Sequence, residues 1–281
     1  MLVYLNGAYI PKEEAKISVD DRGFVFGDGV YEVIRVVDGN LFLAEAHMKR
    51  LAKGLRGLGI EVDKQLINNI LPISLKLIQK NKLIKGHATV YLQITRGVAP
   101  RIHNFPNPAV QPTIYLSTTG FTPDIELQKK GAKAILMSDI RWMRCDLKTV
   151  NLLPNVLARQ RAMDAGAFSA IFIRDGVVTE GQNANIFGVI DGVLRTYPNM
   201  NYILPGITRA LILEMAEKEN IPVKLTPINE DEILEMDEIF LTGTTTDIQP
   251  ITSIDGKTVG NGKRGEIARR LQDLLHKRMA L

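Results

Sequence analysis

Cysteine is nearly missing from this chain of 281 residues: Cys145 is the only one. No disulfide can close within the sequence, and a cysteine-based metal site is excluded. Tryptophan occurs once and histidine four times, and His47, His87 and His276 lack the spacing of a metal-ligand set. No apolar run approaches the roughly 20 residues that a membrane-spanning helix needs. Charge of one sign is also scarce, since 35 basic and 31 acidic residues leave a formal net charge of only +4. The basic residues are spread out, with no arginine-rich run interleaved with aromatics, which argues against a nucleic-acid surface. The first residues, Met1-Leu2-Val3-Tyr4-Leu5-Asn6-Gly7, lack the basic start and long apolar core of a signal peptide. The expected compartment is therefore the cytoplasm. What is present is ordinary for a globular protein, with 45% hydrophobic and 23% charged residues, and the length suits one large domain or two modest ones.

Five Asn-Gly or Asp-Gly pairs sit between apolar runs: Asn6-Gly7, Asp38-Gly39, Asp175-Gly176, Asp191-Gly192 and Asp255-Gly256. Both residue types tolerate the positive φ of a tight two-residue turn, so each pair predicts a hairpin. Helical patterns cover Leu43 to Leu58, Asp63 to Gln79, Asn155 to Ala165, Thr208 to Glu219 and Gly262 to Met279. Pro72 is expected to kink or displace the second. Hairpins mixed with separate helices predict an α+β fold rather than a doubly wound sheet. Ser117-Thr118-Thr119-Gly120-Phe121-Thr122-Pro123-Asp124 is the best linker, being polar with Gly and Pro. It predicts a smaller domain over 1–119 and a larger one over 120–281. No internal repeat or low-complexity tract stands out.

Four segments carry chemistry when taken in order. Lys148 lies in Cys145-Asp146-Leu147-Lys148-Thr149-Val150-Asn151-Leu152-Leu153-Pro154. An amine that forms a Schiff base must be neutral when it attacks, so it needs a special setting. Glu180 follows a strand pattern, in Val178-Thr179-Glu180-Gly181-Gln182-Asn183-Ala184-Asn185. Leu204-Pro205-Gly206-Ile207-Thr208-Arg209 opens an amphipathic helix, whose first N–H groups and dipole favour an anion. Thr242-Gly243-Thr244-Thr245-Thr246 adds a hydroxyl-rich turn after a strand. A lysine, an acid, a helix N-terminus and hydroxyls together suit an aldehyde cofactor with a basic ring nitrogen and a phosphate tail, which is pyridoxal phosphate. Taken singly, each segment has an ordinary structural meaning: a surface lysine, a solvated turn, a capped helix, a threonine-rich strand. Gly27-Asp28-Gly29 is not a phosphate-cradling loop, because no matching lysine follows it.

The ordered set resembles the fold-type IV pyridoxal-phosphate enzymes, which include D-amino acid aminotransferases, branched-chain aminotransferases and aminodeoxychorismate lyases. The resemblance runs from Asn6-Gly7 to about Ile254. Three segments favour the D-amino acid branch: Phe26-Gly27-Asp28-Gly29-Val30-Tyr31-Glu32-Val33-Ile34, Pro100-Arg101-Ile102-His103-Asn104-Phe105-Pro106, and Asp139 to Lys148. The resemblance implies two domains of hairpin-rich mixed sheets and packed helices, with the cofactor in the interdomain cleft. It makes Lys148 the Schiff-base lysine and the proton shuttle, and Glu180 the acid that keeps the ring nitrogen protonated. Arg50, Ile207, Thr208, Gly243 and Thr244 would hold the phosphate, and Arg141 is spaced to share a wall with Lys148. Tyr31, Arg101 and His103 would trap the substrate carboxylate, with Arg101 and His103 reaching over from the second subunit of a homodimer. The implied reaction is ping-pong transamination between a D-amino acid such as D-alanine and 2-oxoglutarate, by way of pyridoxamine phosphate. Alternatives are a branched-chain L-amino acid aminotransferase, an aminodeoxychorismate lyase, or a cofactor-less binding protein on the same scaffold, against which Lys148 and Glu180 argue. Two positions depart from the expected pattern. Gln182-Asn183-Ala184 replaces a serine-rich run, and Gly243 stands where a serine often contacts phosphate.

Overall fold

Each of the five Asn-Gly or Asp-Gly pairs forms a hairpin turn with positive φ at both residues, from 46° and 101° at Asn6-Gly7 to 49° and 76° at Asp255-Gly256. The computed structural model describes residues 1–280. Its chain divides into two compact units. The first is Met1–Thr122 with Leu147–Asn151, and the second is Pro123–Asp146 with Leu152–Leu281.

The first unit contains β1 (Leu2–Leu5), β2 (Ala8–Pro11), α1 (Arg22–Phe26), β3 (Gly29–Val37), β4 (Asn40–Leu41), α2 (Ala44–Leu58), α3 (Lys64–Lys80), β5 (His87–Thr95) and β6 (Thr113–Gly120). Its strands form one antiparallel sheet, in the order β2-β1-β6-β5-β3-β4. The buried faces of α2 and α3 share one core with the sheet, built around Val30, Leu51, Leu55, Ile70, Leu77, Leu92 and Ile94. Buried positions in α3 fall at Ile70, Ser74, Leu77 and Ile78, the spacing of one helix face. That helix runs through Pro72. Pro72 and Asn68, whose carbonyl loses its partner, are both exposed, so water can satisfy the freed group and the helix tolerates the ring.

The second unit contains α4 (Ile125–Lys130), β7 (Ala132–Ser138), α5 (Leu153–Asp164), β8 (Ser169–Arg174), β9 (Val177–Gly181), β10 (Asn185–Ile190), β11 (Val193–Arg195), α6 (Ile207–Lys218), β12 (Val223–Lys224), β13 (Ile228–Asn229), β14 (Glu238–Gly243), β15 (Asp247–Ile254), β16 (Lys257–Thr258) and α7 (Glu266–Met279). Its sheet is mixed, in the order β12-β11-β10-β14-β15-β7-β8-β9-β13, with β16 beside β15. The pairs β15–β7, β7–β8 and β11–β12 are parallel, and the others are antiparallel. Phe187 of β10 stacks on Phe240 of β14 at 5.2 Å between ring centroids. Leu211, Ile212, Met215 and Ala216 form the buried face of α6.

Two expectations need correction. The proposed linker starts too early, because Ser117 to Gly120 complete β6 and pair with Ala88 to Tyr91 of β5. Thr118 is buried there and accepts a hydrogen bond from Asn81. A single cut near residue 120 also misplaces Lys148, which belongs with the first unit. The reason is backbone pairing: Tyr31 N–H donates to Lys148 O at 2.9 Å, and Val150 N–H donates to Gly29 O at 3.1 Å.

Candidate active site

In the first unit, the segment carrying Lys148 lies beside the start of β3, with a bridge between Val30 and Thr149. Lys148 Nζ sits 4.2 Å from the centroid of the Tyr31 ring. Tyr31 stacks in turn on Tyr91 at 5.8 Å. Burial, with Tyr31 and Tyr115 nearby, pushes the Tyr91 phenol up to about 12, and its hydroxyl donates to Gln93 Oε1 at 2.6 Å. Tyr91 is therefore a neutral wall behind Tyr31.

Alternation along β3 turns Glu32 away from Tyr31. Glu32 is fully buried and accepts from Arg50 Nε at 2.6 Å, from Arg50 Nη2 at 2.8 Å and from His47 Nδ1 at 2.8 Å. His47 and Arg50 lie one helical turn apart on α2, which lets both reach one carboxylate. Burial alone would raise the Glu32 carboxyl, but the Arg50 guanidinium, followed by His47, brings it down to about 2. Burial keeps His47 below its ordinary value, against the pull of Glu32 and with the positive charges of Arg50 and Lys148 adding to it. The candidate phosphate arginine is thus held rigidly from behind by a partner that sequence reasoning missed. Glu32 and Arg50 are 18 residues apart and belong to different elements.

Arg101 and His103 stand exposed on an irregular segment rather than on a strand. Both face the same side chain: the Arg101 guanidinium lies 5.6 Å from the Phe26 ring centroid, and the His103 ring lies 5.7 Å from it, edge to face.

In the second unit, Glu180 is a member of β9. One carboxylate oxygen accepts a short bond from Arg141 Nη1. The other accepts from Asn185 Nδ2 at 2.9 Å and from Leu204 N–H at 3.0 Å. Burial raises its carboxyl, and Arg141 and the Leu204 amide only partly oppose this. Arg141 is itself shared. Asp139 takes its Nε at 2.8 Å and its Nη2 at 2.7 Å. Burial would raise Asp139, but Arg141 overrides that and lowers it. The serine-rich run expected after Gly181 is not needed to hold Glu180, because Asn185 does so. Gln182 is occupied elsewhere, its Oε1 accepting from Ser169 Oγ at 2.5 Å and from Ala170 N–H at 2.7 Å. Asn185 also carried no sequence signal beyond its place after Gln182-Asn183-Ala184.

The anion elements converge on the same strand end. Asn185 pairs with Thr242 across β10 and β14. It also touches the start of α6, where a Cβ on Gly206 would come within 1.9 Å of Asn185 Oδ1. Only glycine lets the helix approach this closely. Gly206 is the N-cap of α6, and no side chain caps the helix. Ile207 and Thr208 form its first turn, while Gly243 ends β14 and Thr244 lies in the following turn. Thr242 Oγ1 is buried without a hydrogen-bond partner among the described residues.

Cys145 is inert by its setting. Burial pushes the thiol up to about 11, and Sγ donates to Trp142 O at 3.1 Å. Among the described residues, no cluster of His, Cys, Asp or Glu could hold a metal ion, and no helix is long and apolar enough to cross a membrane.

A model of the amino-transferase class IV family matches residues 29–254. The chain belongs to that family. It is 41% identical over 270 residues to the D-alanine aminotransferase of Staphylococcus epidermidis, covering 96% of this chain and 95% of the relative. It is 40% identical over 276 residues to the D-alanine aminotransferase of Bacillus licheniformis, covering 98% and 96%. Among solved structures it is similar to the branched-chain amino acid aminotransferase of Escherichia coli, with TM-score 0.90, 26% identity and coverage of 98% and 93%. A second branched-chain amino acid aminotransferase, solved with pyridoxamine 5′-phosphate, is as similar, with TM-score 0.91, 26% identity and coverage of 99% and 93%. Class IV aminotransferases depend on pyridoxal phosphate. The residues present fit that group. A buried acid backed by an arginine suits a protonated ring nitrogen. An uncapped helix start beside a buried, unpartnered hydroxyl suits a phosphate.

Proposed function

We propose that this aminotransferase moves the amino group of a D-amino acid such as D-alanine to a 2-oxo acid such as 2-oxoglutarate. The observation that carries the proposal is the 40–41% identity to D-alanine aminotransferases along nearly the whole of both chains. The pair Arg101 and His103, gathered on Phe26, supports it by offering a guanidinium and an imidazole to one carboxylate. When bound, the cofactor supplies an aldehyde that accepts the amino group and a ring that withdraws electrons from the substrate Cα. Lys148 takes the proton from Cα and returns it on the other side of the exchange. Glu180 holds a proton at the ring nitrogen, with Arg141, Asn185 and the Leu204 amide fixing its position. Ile207, Thr208, Gly243, Thr244 and Arg50 hold the phosphate, and Glu32 presents Arg50. Tyr31, Arg101 and His103 hold the substrate carboxylate. In this proposal the working unit is a homodimer in which Arg101 and His103 serve the second subunit's site, and the enzyme works in the cytoplasm.

A second reading, branched-chain L-amino acid transamination, is favoured by the likeness to the branched-chain structures. Offering D- and L-alanine separately, each with and without 2-oxoglutarate, decides the matter. Turnover of D-alanine that needs the acceptor is expected. Preference for the L-isomer moves the assignment to the branched-chain reading. Without acceptor, D-alanine should give no more than one pyruvate per site, and catalytic release of pyruvate from aminodeoxychorismate without acceptor would move the assignment to a lyase.

A further inference from the structure

The segment that carries Arg101 and His103 lies between β5 and β6 and has neither helix nor strand of its own over 100–106. Its shape is imposed by two buried arginines of the same unit. Arg22 Nη1 donates to Ile102 O at 2.7 Å and to Asn104 O at 3.4 Å, bracketing His103. Arg96 places its guanidinium 3.6 Å from the centroid of the Phe105 ring. Arg96 is fixed from the other side by Gly59 O at 2.8 Å and Leu58 O at 2.7 Å, at the end of α2. Arg22 and Arg96 are only 3% and 7% exposed. Both lean on one carboxylate. Asp28 Oδ2 accepts from Arg22 Nε at 2.9 Å and from Arg96 Nε at 2.7 Å, and Asp28 Oδ1 accepts from Arg96 Nη2 at 3.1 Å. Arg22 also lies 4.7 Å from the Phe26 ring centroid, the ring that Arg101 and His103 share.

Two guanidinium groups on one mostly buried acid are poor economy for stability, because desolvating three charges is offset by only one carboxylate. The arrangement does fix a loop that has no ladder hydrogen bonds of its own. We propose that Asp28, acting through Arg22 and Arg96, is a positioning residue for the substrate carboxylate: it sets the backbone from which Arg101 and His103 project. The proposal rests on the reading that Arg101 and His103 bind that carboxylate. A loop frozen before substrate arrives removes ordering entropy from binding, so its loosening falls mainly on KM.

The test uses the full-length holoenzyme with D-alanine and 2-oxoglutarate, comparing Asp28→Asn, Phe105→Ala, Arg101→Ala and the double variant Asp28→Asn/Arg101→Ala. The readouts are KM, kcat, the cofactor absorbance and the thermal midpoint. Asp28→Asn is expected to raise KM about tenfold, with kcat within about threefold and the absorbance unchanged. Phe105 is 60% exposed, so Phe105→Ala should fold normally and raise KM several-fold through the Arg96 arm alone. In the Arg101→Ala background, Asp28→Asn should raise KM by clearly less than it does alone, since only His103 is left to position. Full additivity of the two changes overturns the proposal. So does an unchanged KM in Asp28→Asn and Phe105→Ala when Arg101→Ala alone raises it, an outcome that leaves the carboxylate reading standing. An unchanged KM in Arg101→Ala overturns that reading and the proposal with it. Should Asp28→Asn not fold, Phe105→Ala decides.

Discussion

Two buried glutamates meet arginines in this protein, and their fates differ. Glu32, in the first unit, accepts from the Nε and Nη2 of Arg50 and from a histidine besides. Its carboxyl is driven down to about 2. Glu180, in the second, shares Arg141 with Asp139, which takes two of the guanidinium nitrogens and also faces Arg174. Its carboxyl is raised, with burial the largest cause. Glu180 meets one nitrogen of Arg141, and Asp139 beside it adds to burial, so burial prevails there; Glu32 meets two nitrogens of Arg50 and one of His47, so attraction prevails. Glu32 is therefore locked as an anion and suits a structural anchor. Glu180 can exchange a proton with whatever basic group lies against it, which is what a ring nitrogen requires.

The largest effect sets the floor for reading both acids. Lys148→Ala is expected to abolish nearly all turnover, and borohydride should no longer fix cofactor to the peptide that holds residue 148. Wild-type turnover in that variant would leave neither glutamate a catalytic lysine to serve. Next comes Glu180→Gln, which keeps the shape and removes the charge. Its kcat should fall by at least ~100-fold, the scale of a lost electrostatic or acid–base contribution, while the protein stays as stable as wild type. Unchanged kinetics would make Glu180 as structural as Glu32 and erase the contrast.

The third prediction concerns stability. Glu32→Gln leaves Arg50 buried without its anion and should cost on the order of 3 kcal/mol, read as a lower denaturation midpoint. The pH dependences should have opposite signs. The lowered value of Glu32 contributes stability that is present above about pH 4.5 and is lost as pH falls toward 2. The raised value of Glu180 contributes stability that is full below pH 4.5 and lost as pH rises through the folded value. Acid titration of the cofactor-free variants separates the two, and parallel curves would contradict the contrast. The smallest effect is at Cys145, which lies in the field of Arg141 and Glu180. With the thiol near 11, iodoacetamide at about pH 8 should leave it unmodified, and Cys145→Ala should change activity by less than about twofold. Rapid alkylation would mean that the arginine field outweighs burial there.

The hairpins were open to sequence reading because their cause is local: an Asn or Asp followed by Gly carries the required φ wherever it occurs. Helix faces were legible for a similar reason, as with Leu211, Ile212, Met215 and Ala216 on α6. What escaped depends on long-range pairing. The polar stretch Ser117 to Gly120 has a loop's composition, yet it is strand because β5 supplies its hydrogen bonds. Lys148 was recognisable as a candidate, but its attachment to β3, far upstream in the chain, was not. Glu180 was visible and its supports were not, since Asn185, Leu204 and Arg141 come from three separate segments.

The threading of the chain has a further consequence. Five residues, Leu147–Asn151, return to the first unit after the chain has entered the second, so the polypeptide passes between the units three times rather than once. A fragment ending at Thr122 would contain every helix and strand of the first unit but not the lysine. Its β3 would keep the amide of Tyr31 and the carbonyl of Gly29, the groups that Lys148 and Val150 occupy in the intact chain. The enzyme cannot be split at its linker into a half that carries the amine and a half that carries the acid. Any dissection, permutation or domain exchange that respects the module must carry the 147–151 strip along, spliced in as a separate piece.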